Sequence, residues 1–118
     1  MSVPILKQGR ILIASIQAST DDRDFIQLRD ELLHMVSVVR AEGVVVDVTA
    51  LDVLDSFASR SLRSLAQMVK LCGARTVIVG IQPDVAFAMV QLGLALLDIP
   101  TALDLEEGLE LLKRSEGG

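Results

Sequence analysis

The chain has 118 residues, of which 51% are apolar, so residues 1–118 are expected to form a single domain with one ordinary hydrophobic core. Eleven basic and sixteen acidic residues give a net charge of −5, and Trp and Tyr are absent, which argues against a nucleic-acid or membrane-surface partner. The apolar stretches are shorter than the roughly 20 residues of a membrane span. Residues 1–10 lack a secretory pattern, and the single cysteine cannot form an internal disulfide, so we expect a soluble, cytoplasmic protein.

The chain opens with two short segments rich in β-branched residues, 3–6 and 11–16. The spacer 7–10 contains a glycine and favours a β-hairpin between the two strands. The second segment is apolar nearly throughout, which is typical of a strand inside a sheet that is covered on both faces.

Asp21 and Asp22 mark the start of the first predicted helix, where carboxylates face the positive end of the helix dipole. Apolar residues follow at helical spacing: Leu28, Leu32, Met35, Val36 and Val39. Gly43 is predicted to end this helix, and residues 44–48 are predicted to form a buried parallel strand.

A loop with two acids, residues 49–55, leads into a second predicted helix from about Ser56 to Leu71, which Gly73 ends. Its inward stripe is predicted to consist of Leu62, Leu65, Met68, Val69 and Cys72. Residues 75–79 then form another β-branched strand.

Residues 80–83 are predicted to turn the chain into a third helix, with Pro83 in its first turn. The helix is expected to run to about Leu92 and to end at Gly93.

Residues 100–103 can supply a brief last strand, and Asp104 is predicted to cap a fourth helix with Leu105, Leu109 and Leu112 on one face. Residues 115–118 are expected to form a flexible tail. Right-handed crossovers in this element order predict an α/β fold: a mostly parallel mixed sheet with an N-terminal hairpin and about four helices.

No catalytic constellation is visible, and no cofactor or metal is predicted. His34 lies between Leu33 and Met35 and is interpreted as a packing or surface residue, while Cys72 is interpreted as a small buried apolar residue. The acidic pairs at 21–22 and 106–107 open predicted helices, where carboxylates are expected, and no phosphate-binding glycine loop occurs.

The segment 51–60 stands out because it joins the carboxyl end of a buried strand to the start of a helix, where open α/β sheets usually meet their ligands. Asp55 or Ser56 is a natural N-cap for this helix. A serine at the start of a helix is also a natural phosphorylation switch. A phosphate on Ser56 would add negative charge beside Asp52 and Asp55 and so change the charge of this surface strongly. A partner surface fitted to a neutral hydroxyl next to an exposed Phe57 would then bind more weakly.

The strand 44–49, followed by a short loop and Asp55-Ser56, resembles the signature of the STAS-domain family of anti-sigma factor antagonists. Further segments resemble the RsbS type of stressosome scaffold and antagonist: 3–7, 16–17, 80–83, 91–96 and 101–106. Together these segments touch nearly the whole chain.

The resemblance implies a cytoplasmic, non-catalytic protein that co-assembles with larger STAS paralogues into a megadalton particle. Such proteins sequester a serine/threonine switch kinase of the histidine-kinase-like ATPase superfamily and are reset by a PP2C-type phosphatase. Ser56 occupies the position of the family's phosphorylated serine, with Asp52, Asp55, Phe57 and Arg60 as its neighbours and partner contacts.

Simple anti-sigma factor antagonists often continue with a small residue and a glycine after the serine, whereas this chain has Phe57-Ala58. This departure favours the stressosome type over direct binding of an anti-sigma factor. A free anti-sigma factor antagonist, dimeric at most, is the alternative function, and a nucleotide-binding domain is a third. Ser59 is the less favoured alternative phosphosite, because its side chain could complete the first helical turn. The apolar opening segment 3–6 is either a self-association face or ordinary core packing.

Overall fold

The structure, a computed structural model, describes residues 3–93 and 99–116. Its elements follow the order that the sequence predicts: β1 (Ile5–Gln8), β2 (Ile11–Ser15), α1 (Asp22–Val39), β3 (Gly43–Asp47), α2 (Ser56–Leu71), β4 (Arg75–Val79), α3 (Pro83–Gln91), β5 (Thr101–Ala102) and α4 (Leu105–Glu116). The predicted α/β class, the N-terminal hairpin and the four helices are confirmed.

The five described strands form one sheet in the order β1-β2-β3-β4-β5. β1 pairs antiparallel with β2, with Ile5 opposite Ala14, and the other pairs are parallel. Because successive parallel strands are added in one direction, right-handed crossovers place α1, α2 and α3 on the same face of the sheet. α4 follows the last strand and packs on the opposite face.

The central strand β3 explains why its sequence is apolar without alternation. Val44 and Val46 face the larger core beneath α1, α2 and α3, whereas Val45 faces the smaller core beneath α4. All three side chains are fully buried, as expected for a strand that helices cover on both faces. The strand therefore holds a fixed position from which the loop after it projects.

The start of α1 forms where the sequence predicts it, through a reciprocal capping box. The backbone N–H of Asp24 donates to Asp21 Oδ1 at 2.8 Å, and the N–H of Asp21 donates to Asp24 Oδ2 at 3.0 Å. The hydrogen bond from the Asp21 backbone lowers the pKa of the Asp24 carboxyl, because it stabilises the ionised form.

The predicted end of α1 at Gly43 is wrong. The helix ends at Val39, and Arg40 adopts the left-handed conformation with φ 52°. Gly43 is instead the first residue of β3, where a Cβ atom would lie 2.7 Å from Leu112 Cδ1 of α4. The glycine is needed for the close approach of a neighbouring helix, while Arg40 takes the left-handed position usual for glycine.

The prediction that Cys72 is buried is also wrong, since its side chain is exposed. Leu65, Val69 and Cys72 share one face only if the helix continues, but α2 ends at Leu71. Gly73, with φ 93°, then turns the chain away. The inner stripe of α2 is otherwise as predicted: Leu62, Leu65 and Val69 are buried and Met68 is half-buried.

The opening segment of residues 3–6 is divided between the core and the exposed surface. Val3 is buried and Ile5 packs against the larger core, whereas Pro4 and Leu6 are exposed on the edge strand. Residues 94–96 of the family-like segment 91–96 lie outside the described residues. α4 extends to Glu116, so it overlaps the predicted tail 115–118, while residues 117–118 lie outside the described residues.

Candidate functional site

The carboxyl ends of the parallel strands meet at one edge of the sheet, and hydrogen bonds continue there beyond the strands. The N–H of Val48 donates to the carbonyl of Val79 at 3.0 Å, and the N–H of Gly80 donates to the carbonyl of Ala102 at 3.2 Å. The loops after β3 and β4 therefore leave the sheet side by side, from an edge where their first residues are still hydrogen-bonded to the neighbouring strand. This is the edge at which open α/β sheets usually bind ligands or partners.

The loop from β3 to α2 is fixed at its start by Thr49. Asp47 Oδ1 accepts hydrogen bonds from the backbone N–H of Thr49 at 2.9 Å and from its hydroxyl at 2.6 Å. Gln82 Nε2 donates to the carbonyl of Thr49 at 2.7 Å. A side chain from the neighbouring loop thus helps to orient the segment that leads to Ser56.

Gly80 lies against the same threonine and adopts φ 81°. A Cβ atom at this position would collide with Thr49 Oγ1 and would lie 3.1 Å from the Thr49 backbone nitrogen. Sequence reasoning identified Gly80 only as a turn residue and missed the positioning roles of Asp47, Thr49 and Gln82. The role of Gln82 depends on a contact between loops 33 residues apart, which has no local sequence signal. The contact between Asp47 and Thr49 spans only two residues and is a local turn pattern that the sequence analysis did not use.

Two buried leucines, Leu51 and Leu54, anchor the middle of the loop in the larger core. Between and after them, Asp52 and Asp55 are exposed to solvent. Val53 is 73% exposed, although sequence reasoning did not single it out. The loop therefore presents an apolar side chain between two carboxylates, on a backbone that the leucines hold in place.

At the start of α2, the N-cap and the candidate phosphosite are two different residues, whereas the sequence left both roles open to Ser56. Asp55 is the N-cap, and its Oδ1 accepts a hydrogen bond from the backbone N–H of Ala58 at 2.8 Å. Ser56 is the first helical residue, with an exposed side chain. The interpretation of Ser56 as a cap is therefore wrong, and its hydroxyl is not needed to begin the helix.

Ser59, the alternative phosphosite, lies on the inner side of α2. It is 3% exposed, and its hydroxyl has no hydrogen-bond partner among the described residues. The expectation that its side chain completes the first turn is wrong, because Asp55 performs that role. In the folded chain, the side chain of Ser56 is therefore accessible from solvent, whereas that of Ser59 is not.

Phe57 and Arg60 flank the serine on two different sides of the helix. Phe57 is half-buried against the larger core, so the expectation of an exposed Phe57 is wrong. Because side chains of a helix point in different directions at successive positions, Phe57 turns toward α1 while Ser56 and Arg60 stay exposed. The solvent-exposed surface of α2 around Ser56 and Arg60 is therefore polar.

The capping role of Asp55 predicts a defined stability effect. Asp55→Ala should lower the free energy of unfolding by about 1 kcal/mol, because the Ala58 N–H loses its partner. Asp55→Asn keeps a side-chain oxygen at this position and should cost only a few tenths of a kcal/mol. Urea denaturation of the two variants and the parent chain measures both values, and an equal loss for both would contradict the capping role.

Other polar residues do not form a competing site in the part of the chain that is described. His34 is exposed on α1. No group of three or more His, Cys, Asp or Glu side chains is arranged to hold a metal ion within residues 3–93 and 99–116. None of the described helices combines the length and the apolar character that a membrane span needs.

Comparison with known proteins relates this fold to signalling proteins. The chain is 25% identical over 108 residues to the RsbT co-antagonist protein RsbRA of Bacillus subtilis, an alignment that covers 92% of this chain and 39% of RsbRA. It is 34% identical over 68 residues to the uncharacterized protein YezB of Bacillus subtilis, covering 58% of this chain and 69% of YezB. The chain therefore spans about two fifths of the RsbRA length.

Solved structures give closer likenesses over the whole chain. A Moorella thermoacetica RsbS variant with a serine-to-glutamate substitution superposes with a TM-score of 0.86 and 37% identity, covering 98% of each chain. A chain from a structure of the stressosome, described as a signal integration and transduction hub, gives a TM-score of 0.83 and 38% identity, covering 96% of this chain and 98% of that one. The sequence profile of the STAS domain matches residues 2–108, and the chain belongs to the STAS domain family.

Proposed function

We propose that this chain is a non-catalytic stressosome scaffold that sequesters a serine/threonine switch kinase and releases it when Ser56 is phosphorylated. The chain is thus the substrate of a kinase and a binding partner, within a general stress-response cascade in the cytoplasm. Its kinase belongs to the histidine-kinase-like ATPase superfamily, and a PP2C-type phosphatase restores the unmodified serine.

The exposed position of Ser56 on the first turn of α2 is the observation that carries this proposal. A phosphate at this position lies near the free amides and positive dipole of the helix start, which stabilise an anion. Asp52 and Asp55 nearby oppose it, so the modified site becomes strongly negative and hydrated. A kinase surface fitted to the neutral hydroxyl then loses contacts, and the kinase dissociates.

The proposed assembly with larger STAS paralogues is supported by the two kinds of relative. The chain resembles RsbS and a stressosome chain along nearly its full length, and it resembles a part of the RsbR co-antagonist RsbRA. The edge strand β1 also offers Leu6, which is 64% exposed, for association between copies or with paralogues. Self-association through this hairpin is part of the proposal.

Phosphosite mapping tests the central claim. After incubation with the cognate kinase and ATP, mass spectrometry should place phosphate on Ser56, and Ser56→Ala should abolish incorporation. Ser64→Ala is the matched control, because Ser64 is also an exposed serine of α2 but lies two turns further along the helix. Phosphate found only at other residues, with Ser56→Ala unaffected, would refute the assignment.

A further inference from the structure

The distribution of charge on α2 differs from that of the whole chain. The helix contains the cations Arg60, Arg63 and Lys70 and no acidic residue, although the chain carries a net charge of −5. Arg60, Arg63 and Lys70 are all exposed. They lie on one side of the helix at spacings of three and seven residues, and Ser56 precedes Arg60 by four. A basic face on an acidic protein points to an acidic binding partner.

A groove of about 360 Å³ runs between α1 and α2 beside this basic face. Apolar side chains from both helices form its walls: Phe25, Ile26, Phe57 and Met68. Ile26 is an exposed large apolar residue of α1, at 47% exposure. Open grooves between two helices, with apolar walls and polar edges, are suited to receive one face of an amphipathic helix.

Two arginines line the groove, but only one has its charge available. Arg29 lies 3.0 Å from the carboxylate of its neighbour Asp30, to which it also donates a hydrogen bond. Arg60 makes no ion pair or hydrogen bond with any described residue and is exposed. Its guanidinium can therefore pair with a carboxylate that a ligand brings to the groove.

Arg60 also stands four residues after Ser56 on the same helix. Side chains at this spacing are neighbours on the helix surface, and an acidic group that precedes a cation by four residues gives the favourable orientation. A phosphate on Ser56 would carry up to two negative charges and three acceptor oxygens toward the Arg60 guanidinium. The phosphate and a ligand carboxylate would compete for the same cation.

We propose that the groove between α1 and α2 binds an acidic amphipathic helix of a partner protein, with apolar side chains against Ile26 and Phe57 and a carboxylate on Arg60. Phosphorylation of Ser56 diverts Arg60 to the phosphate and so weakens this docking. The second step rests on the function proposed above, whereas docking to the unmodified chain is independent of it. The apolar walls of the groove fit the apolar face of such a helix, and the unpaired Arg60 at the groove favours a helix that carries a carboxylate.

A synthetic helical peptide of about 16 residues, with Leu and Glu along one face, serves as the probe, because shorter isolated helices are marginal in water. Titration into the unmodified 118-residue chain, followed by ¹⁵N NMR, should shift signals of Ile26, Phe57 and Arg60. Arg60→Gln should weaken binding about three-fold, in the range of a single exposed ion pair. Replacing Glu by Gln in the peptide should weaken binding by a similar factor.

Lys113→Gln is the matched control, because it removes the same charge from α4 on the opposite face of the sheet and should leave the affinity unchanged. Equal affinities for Arg60→Gln and Lys113→Gln, or peptide shifts confined to other surfaces, would overturn the docking site. Phosphoserine is then installed at position 56 during translation, without any kinase. It should weaken peptide binding several-fold in the parent chain and much less in Arg60→Gln.

An equal loss on phosphorylation in both chains would overturn the competition for Arg60. Failure of the cognate kinase to modify Ser56 would instead refute the proposed function and leave the peptide titration with the unmodified chain unaffected. The two proposals therefore fail on different measurements.

Discussion

Replacement of Ser56 by aspartate is expected to weaken binding of the switch kinase at least five-fold, equivalent to about 1 kcal/mol. The exposed hydroxyl at the start of α2 becomes a carboxylate beside Asp52 and Asp55, and a partner that covers this surface must desolvate the added charge. Ser56→Ala removes the phosphoacceptor without adding charge and should retain the kinase. Isothermal titration calorimetry with purified kinase measures both affinities.

Helix stability must be separated from binding in this comparison. Because Asp55 caps α2, neither substitution at Ser56 removes the capping hydrogen bond, and urea denaturation should show similar stabilities for both variants. Gln67→Glu is the charge control on the same helix, because Gln67 is exposed and lies outside the groove between α1 and α2, and this variant should bind the kinase nearly as well as the parent chain. Equal affinity for Ser56→Ala and Ser56→Asp would contradict an electrostatic switch. Phosphoserine carries more charge than aspartate and should weaken binding further.

Gly80→Ala is expected to lower the free energy of unfolding by about 2–5 kcal/mol. The left-handed backbone at φ 81° costs an L side chain about 1–2 kcal/mol. The new Cβ also collides with Thr49 Oγ1, and such overpacking typically adds about 1–3 kcal/mol. Urea denaturation measures the sum, and displacement of Thr49 should also appear as NMR shifts in the loop that leads to Ser56.

Gly73→Ala is the matched control for backbone strain. Gly73 has φ 93°, but an added Cβ there would meet nothing within 4 Å, so only the conformational cost of about 1–2 kcal/mol is expected. Thr49→Ala should make Gly80→Ala less costly, since it removes the colliding hydroxyl. If Gly80→Ala and Gly73→Ala destabilised the chain equally, the close contact with Thr49 would have no energetic role.

The fold was predictable to the extent that it depends on local pattern. The apolar run of β3 predicted a buried parallel strand, and the acids before α1 and α4 predicted their starts. The prediction failed at Gly43, because a glycine can either end a helix or allow a neighbouring element to pack closely. Gly43 allows the close approach of Leu112, whereas the left-handed residue that ends α1 is Arg40.

The candidate site was predictable only in part, for a related reason. The sequence identified the segment around Ser56, because a polar helix start after a buried strand is a local feature. It left Asp55 and Ser56 as alternative caps, and it favoured Ser56 over Ser59 as the phosphosite without predicting that Ser59 is buried. Which side of the first turn faces the core depends on how α2 packs against α1 and the sheet.

By itself, the sequence determined the fold class, the order of the elements and the segment that carries the proposed phosphoacceptor, because periodicity and helix punctuation act over a few residues. Only the tertiary structure decided that Asp55 is the cap, that Ser56 is accessible, and that Thr49 is held by Asp47 and Gln82. It also showed that Arg60 lies at a groove formed with α1. The exposure of Ser56, the contact from Gln82 and the groove depend on packing between distant segments, which forms only when the crossovers bring helices and loops together on the sheet.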